Sequence, residues 1–383
     1  MSDQTVGIAV IGVGGMGIGH CKNCQKVDEV ELKAVADADA DRAKEVGEDF
    51  DVAWSGDHTE VMAMDEVDAV IIATPHNLHP PLAMDAFDND LHVLSEKPMA
   101  ARVGMADRMI QGAESAGKLL AVMFQKRTLP AVRKARELVE EGHLGEVART
   151  LLEFPDFRSQ AYYDSGTWRA TWEGEGGGVL LNQAPHIMDI FTMLADLPQE
   201  VRGHCEIRMH HIEVEDHAEA RLEYANGATG FFHASTCEVG PGPRLELVGD
   251  KGVLLLEGDD KLRFWSYDTP IKEFNETNDS MWAKPEPEEV ELQMPDCDSG
   301  HHVIIRNFAR AILHGEDLIS PGEQALKSLE LANAIRLSSN KGEAVQLPID
   351  RQEYHELIDY LIETSTFEKE VREVKRETDP QFQ

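Results

Sequence analysis

The chain has little that would take it to a membrane or a nucleic acid. None of its apolar runs approaches the ~20 residues that span a bilayer. Its opening residues, Met1-Ser-Asp-Gln-Thr5, show no basic stretch followed by an apolar one, so no secretory leader is expected and the cytoplasm is the expected compartment. Basic side chains are scarce: 36 Lys and Arg stand against 71 Asp and Glu, a formal charge of −35. A surface that negative repels nucleic acid and anionic lipid, which excludes both as partners. It suits a salty cytoplasm, where dissolved ions screen the self-repulsion. The five cysteines (Cys21, Cys24, Cys205, Cys237 and Cys297) are odd in number and scattered, which argues against a disulfide framework. Cys21 and Cys24 form a CxxC next to His20, but no second CxxC exists and the pair falls on an expected helix, so no metal is expected there.

What the chain does have is length and rhythm. At ~150 residues per domain, 383 residues suggest two domains, and a 42% hydrophobic content is enough to bury sizeable cores. From residue 6 to about 126, short apolar runs (6–11, 31–36, 68–73, 92–95, 119–124) alternate with helical stretches near 15–26, 40–48, 79–88 and 104–116. That alternation predicts an α/β doubly wound parallel sheet over residues 1–126. A helix over 131–141 follows, stopped by Gly142. Beyond Leu144 seven strand-like runs, several joined by turns such as Asn226-Gly227 and Gly249-Asp250, predict a second, α+β domain over 127–363 with a large and mainly antiparallel open sheet. Helices are expected near 183–194, 303–314, 323–338 and 352–363, and the charged tail over 364–383 reads as frayed from Glu368 onward.

Gly12-Val-Gly14-Gly15-Met16-Gly17 is a GxGxxG that follows the first strand and opens the first helix. Glycines there let a backbone approach a pyrophosphate, and the helix N-terminus offers free N–H groups. Asp37, 20 positions beyond Gly17 at the end of the second strand, suits the ribose hydroxyls of an adenosine. It would repel a 2′-phosphate, and no Arg or Lys occurs in Ala38-Asp39-Ala40-Asp41, so NAD is favoured over NADP. The second candidate is Ser95-Glu96-Lys97-Pro98 at the end of the fourth apolar run. Ligands of doubly wound sheets sit beyond the carboxyl ends of strands, where an ammonium can stabilise a developing alkoxide; a solvated turn is the plainer reading of the same four residues.

Together with Ala73-Thr74-Pro75 and His79, these motifs resemble the Gfo/Idh/MocA oxidoreductase family. The likeness continues through Gly142-His-Leu-Gly145, Trp168-Arg169, Gly176-Gly-Gly-Val-Leu-Leu-Asn182-Gln-Ala-Pro-His186-Ile-Met-Asp189, Glu215-Asp216 and Pro321-Gly322-Glu323, covering about residues 5–363. The resemblance implies a Rossmann domain followed by an α/β domain whose open sheet face builds homodimers or homotetramers. By position, it makes Lys97 the group that polarises the substrate and His186 the general base. It places Thr74, Pro75, Asn77 and His79, with Glu96, beside the nicotinamide, and closes Trp168 and Arg169 over the cofactor. Gln125 and Arg127, at the crossing between domains, are placed to reach the nicotinamide or the substrate.

The residues themselves support part of this. Asn182 and His186 stand at i and i+4, so they face one cavity if a helix has begun by Asn182. An imidazole titrates near neutrality, which suits removal of a hydroxyl proton. Asp189, one turn on, either orients that ring or is a solvated acid. Tyr162 and Tyr163 precede Trp168 in an expected loop, where an aromatic such as Tyr163 stacks on a sugar ring or simply orders the loop. One departure stands out: many members carry an aspartate where this chain has Asn182, and an amide cannot supply that charge. The expectation is an NAD-dependent oxidoreductase acting on a secondary alcohol of a sugar, sugar derivative or cyclitol. Rival readings are an NAD-assisted redox-neutral glycosidase, a dihydrodiol dehydrogenase, and a non-catalytic dinucleotide or sugar sensor.

Overall fold

The computed structural model describes residues 4–372 and 374. Its first half builds β1 (Val6–Ile11), α1 (Gly15–Cys24), β2 (Val30–Ala36), α2 (Ala40–Phe50), β3 (Ala53–Ser55), α3 (His58–Met62), β4 (Ala69–Ile72), α4 (His79–Asp88), β5 (His92–Ser95), α5 (Val103–Ala116) and β6 (Leu120–Val122). The six strands pair in parallel in the order β3-β2-β1-β4-β5-β6. Every residue of β1 and β4 is buried, as a parallel sheet covered on both faces requires. The order reverses between β1 and β4, which opens a crevice beyond their carboxyl ends. Local chemistry punctuates the helices: Asp39 caps α2 by accepting from the Arg42 N–H, and Gly117 (φ +64°) ends α5. The short β3 and α3 were not expected from the sequence, because three and five residues carry no readable period.

The second half comprises α6 (Pro130–Glu140), β7 (Val147–Pro155), α7 (Gln160–Tyr163), α8 (Pro185–Ala195), β8 (Glu200–Glu206), β9 (His217–Glu223), β10 (Thr229–Ser235), β11 (Arg244–Gly249), β12 (Gly252–Glu257), β13 (Lys261–Tyr267), α9 (Ile271–Thr277), β14 (Pro287–Glu289), α10 (His301–His314), α11 (Gly322–Lys341), β15 (Val345–Gln346) and α12 (Arg351–Glu363). Nine strands form one sheet in the order β14-β13-β12-β11-β7-β10-β9-β8-β15, antiparallel except for the parallel pair β7 and β10. Burial alternates through the middle of β9 and β10: α11 packs on β8 and β9, and α8 on β7, at the covered side, while on the other face Glu219, Arg221 and Phe231 are exposed and His217 and Ser235, paired at the strand ends, are buried.

Two features depart from a simple division of the chain. Helix α10 returns to the first sheet, where Ile304, Ile305, Phe308 and Ala309 pack with Val6, Ile8 and Val10. The tail is docked rather than frayed as far as Arg372. Lys369 Nζ donates to the Tyr163 carbonyl at 2.8 Å and the Arg372 N–H to the Asp164 carbonyl at 3.1 Å, while Ser365 Oγ donates to Glu213. These contacts hold the loop between β7 and α8 from outside. The rest of the expected frayed segment, Glu373 and 375–383, lies outside the described residues.

Candidate active site

The glycine loop divides into packing positions and open ones. Gly12 has φ +87°, and a Cβ on Gly17 would fall 1.9 Å from the Gly12 carbonyl oxygen, so these two let the turn fold back on itself. Around Gly14 and Gly15 a Cβ would meet nothing within 4 Å. That open shelf at the N-terminus of α1, with Met16 beside it, fits a dinucleotide pyrophosphate. Asp37 braces the shelf: Oδ2 accepts from the Val13 N–H at 2.9 Å and Oδ1 from the Asp39 N–H at 2.9 Å. Sequence reasoning stopped one residue short here. Arg42, in the first turn of α2, brings its guanidinium to 3.6 Å from Asp37 Oδ1.

Beyond the carboxyl ends of β4 and β5 lies a denser cluster. Thr74 and Pro75 follow β4 directly, and Asn77 is exposed in the single turn after them. Glu96 is buried and tied to His20 Nε2 at 2.8 Å and to the Lys97 N–H at 3.0 Å. Burial pushes its pKa up, but His20 and Lys97 more than offset this and hold it well below the usual range. Lys97, before a cis Pro98, directs Nζ to the Asn182 carbonyl at 3.1 Å. Desolvation lowers its pKa, with Glu96 and Glu175 opposing. His186 opens α8 edge-on to Phe124, ring centroids 5.7 Å apart, and its Nδ1 is buried with no partner. Burial, then the Lys97 charge, pushes its pKa well below that of an ordinary histidine. The ring is therefore neutral at pH 7 and can accept a proton.

Asn182 is held on both sides of its amide. Its Oδ1 accepts from Tyr162 Oη at 3.2 Å, and its Nδ2 donates to Glu175. Tyr162 Oη in turn accepts from Arg169 Nη1 at 2.8 Å and Gln183 Nε2 at 3.2 Å. The Arg169 guanidinium lies 4.6 Å from the Tyr162 ring and 4.7 Å from the Trp168 ring, a cation–π stack that ties the loop together. Glu175 is 1% exposed, accepts from the Ala170 N–H at 2.6 Å, and stands 3.9 Å from Arg169. Burial raises its pKa to about 7, with Arg169 opposing. No motif pointed to Glu175.

The chain has relatives among known proteins. Residues 6–124 match the model described as oxidoreductase family, NAD-binding Rossmann fold, and residues 132–255 match the GFO/IDH/MocA C-terminal domain, together more than half of the chain. The chain belongs to the Gfo/Idh/MocA oxidoreductase family. Among its relatives, the scyllo-inositol 2-dehydrogenase (NAD(+)) of Bacillus subtilis is 26% identical over 91% of this chain and 98% of its own. The D-xylose 1-dehydrogenase [NADP(+)] of Haloarcula marismortui is 28% identical over 53% of this chain and 58% of its own. The crystal structure of the WlbA dehydrogenase of Chromobacterium violaceum with NADH and UDP-GlcNAcA superposes with a TM-score of 0.79 at 27% identity, covering 91% of this chain and 98% of that one.

At several positions the structure gives contacts other than those the resemblance implied. Asp189 neither orients His186 nor meets solvent. Its carboxylate is bound by Arg127, Nε to Oδ2 at 2.7 Å and Nη2 to Oδ1 at 2.6 Å, and both side chains are buried. Arg127 is thereby withdrawn from substrate and cofactor; its remaining Nη1 donates to the Ile319 carbonyl and to Gln324. Tyr163 is buried against Thr236 Oγ1 at 2.7 Å, and it is Tyr162 that reaches the active-site amide. His79 has no ring nitrogen left for a nicotinamide: Nδ1 meets the Pro98 carbonyl at 2.9 Å and Nε2 the Thr74 carbonyl at 2.8 Å, locking the two loops together. Gln125 is buried but keeps Oε1 unpartnered, so it remains available to a ligand. Asn182 precedes α8, so a turn rather than a helical face brings it to Lys97. The triple glycine approaches the protein's own backbone, since a Cβ on Gly178 would fall 1.8 Å from the Glu215 carbonyl oxygen. Cys21 and Cys24 belong to the core, and burial pushes both thiols up to about 12.

The Arg127–Asp189 pair gives a stability prediction. Asp189→Ala leaves a guanidinium buried without its carboxylate, and the expected loss in denaturant unfolding is about 3–5 kcal/mol. An unchanged midpoint would show that the pair is solvated.

Proposed function

We propose that the chain interconverts a secondary alcohol and a ketone on a sugar, sugar derivative or cyclitol. The observation that carries the reading is that one turn, Asn182 to His186, holds both groups: Lys97 Nζ reaches the Asn182 carbonyl at 3.1 Å, and four residues on the buried Nδ1 of His186 has no protein partner. NAD, held on the Gly14–Gly15 shelf and by Asp37, supplies the hydride acceptor. Lys97 binds the reacting oxygen and stabilises its negative charge, and His186 takes the hydroxyl proton. Trp168, Arg169 and Tyr162 form the wall over the reacting centre and exclude water. Assembly as a homodimer or homotetramer would use the open face of the nine-stranded sheet, where Phe231 is 50% exposed. The acidic surface opposes that assembly at low salt, because its charges must be screened before two copies approach.

The test is NADH absorbance against a panel of sugars, cyclitols, dihydrodiols and glycosides, with wild type and His186→Ala. NADH formation from one sugar or cyclitol, reduced about 10²- to 10⁴-fold in the variant, is the expected result. No NADH from any substrate, with NAD demonstrably bound, would favour the redox-neutral glycosidase or the sensor, and turnover confined to dihydrodiols would reassign the substrate class. The same assay with NADP reads out Arg42: its guanidinium beside Asp37 is placed to offset the repulsion of a 2′-phosphate.

A further inference from the structure

The open face of the second sheet carries a histidine that the fold leaves without hydrogen bonds. His217 in β9 is 1% exposed, and neither Nδ1 nor Nε2 has a partner. A buried imidazole without a partner forfeits the hydrogen bonds it had in water, a cost that demands an explanation. Its surroundings supply one. In the β9–β10 register Ser235 faces His217 and Glu219 faces His233, so the two histidines are diagonal neighbours on one face, ring centroids 5.1 Å apart. Glu238, just past the end of β10, brings Oε1 to 3.1 Å from His233 Nε2. One donor atom from each of His217, His233 and Glu238 lies within 4.8 Å of the other two.

The neighbouring group of His210, Asp216 and Cys237 offers similar atoms and shows the contrast. There the histidine is satisfied: Nδ1 meets Asp216 at 2.9 Å and Nε2 the Arg158 carbonyl at 2.8 Å. Asp216 also accepts three backbone N–H groups, from Arg208, Met209 and His210. The Cys237 thiol is engaged as well, donating to the Asp216 carbonyl at 3.7 Å.

We propose that His217, His233 and Glu238 form a binding site for a divalent transition cation of the zinc type, separate from the Lys97–His186 centre. Two imidazoles and one carboxylate make a zinc donor set with a fourth position for water or another carboxylate. Glu219, whose Oε2 lies 3.9 Å from His217 Nε2, stands where it can fill that position or balance the charge. Zinc takes nitrogen ligands at about 2.0–2.1 Å, so side-chain rotation must draw the donors inward; His233 and Glu238 are partly exposed and free to do so. Arg208, a cation close enough for its charge to act on His217, is already paired with Glu206 and presents less repulsion than a free guanidinium.

The experiment uses the purified full chain stripped of metal, titrated with zinc against a chromophoric chelator, and then loaded with cobalt for its visible spectrum. The expected result is one zinc per chain at micromolar affinity or tighter, with the intense visible bands of low-coordinate cobalt. His233→Ala and Glu238→Gln change partly exposed side chains, and each should weaken binding at least about tenfold while leaving NAD binding and the thermal midpoint in place. His217→Ala should abolish the site. A titration with no stoichiometric site, or one that persists in the His217→Ala/His233→Ala double variant, overturns the proposal. The readout involves no turnover, so its outcome is independent of the reading of the active site.

Discussion

Replacing Lys97 by methionine is expected to lower kcat/KM by about 10³, with most of the loss in kcat. The side chain keeps its length and apolar stem, so packing against Pro98 and the loop of Asn182 is preserved while the charge goes. Lys97 is close to ideal for the role assigned to it. Desolvation lowers its pKa, so the ammonium is less firmly protonated than one in water and a stronger hydrogen-bond donor to an oxygen gaining charge. Among the described residues its one hydrogen-bond acceptor is the Asn182 carbonyl, at 3.1 Å, which leaves two of its three N–H groups for a substrate. Lys97→Arg should not restore activity, because a planar guanidinium cannot occupy the site of a compact ammonium. Steady-state kinetics with the substrate identified by the panel make the measurement. A loss confined to KM would reduce Lys97 to a binding residue, and an unchanged kcat/KM would remove it from the reaction.

The difference between what was legible in the sequence and what was not is physical. Gly12–Gly17, Asp37 and Lys97 were readable because the parallel sheet places the end of each strand at one crevice; local pattern locates the strand end, and the fold does the rest. The long elements were readable for the same reason: β1, β5 and α4 coincide with the apolar runs and helical stretch that predict them. Pairings between side chains were not. By spacing alone Asp189 falls one turn beyond His186, where it either orients that ring or meets solvent. The fork of Arg127, 62 positions earlier, binds the same carboxylate at both oxygens, and two charge-assisted bonds outcompete a helical neighbour. Tyr162 and Tyr163 are adjacent and indistinguishable as letters, yet the turn of α7 sends one to Asn182 and the other to Thr236. Arg42 was missed because the search for a 2′-phosphate partner ended at Asp41, one residue before the chain turns back toward Asp37.

Glu175 is the residue whose absence from any motif matters most, and Glu175→Gln is expected to change activity and stability in opposite senses. Where the family resemblance implies a carboxylate, this chain has Asn182, an amide whose Nδ2 donates to the buried Glu175. Glu175 thus stands one contact behind Asn182, whose carbonyl meets Lys97 Nζ, and 3.9 Å from Arg169. Its pKa of about 7 has a stability consequence whose sign is fixed. Between pH 4.5 and 7 the folded protein holds this proton and the unfolded chain has lost it, so stability falls as pH rises through that window. Above pH 7 the accumulated cost is about 3 kcal/mol. Glutamine cannot titrate, so the slope from this group should vanish in the variant, as denaturant unfolding at pH 5, 6 and 8 would show. Activity should run the other way. Burial lowers the His186 pKa while it raises that of Glu175 to about 7, so a fall in kcat/KM on acidification through about pH 7 is expected from protonation of Glu175 and loss of its hold on Asn182. In Glu175→Gln that limb should disappear and the plateau drop roughly 10- to 100-fold, the cost of a misplaced positioning group. A variant that keeps the limb near pH 7 would return the titration to another residue. One that keeps wild-type kcat would reduce Glu175 to a structural acid, held by the protein at a cost in stability with no catalytic return.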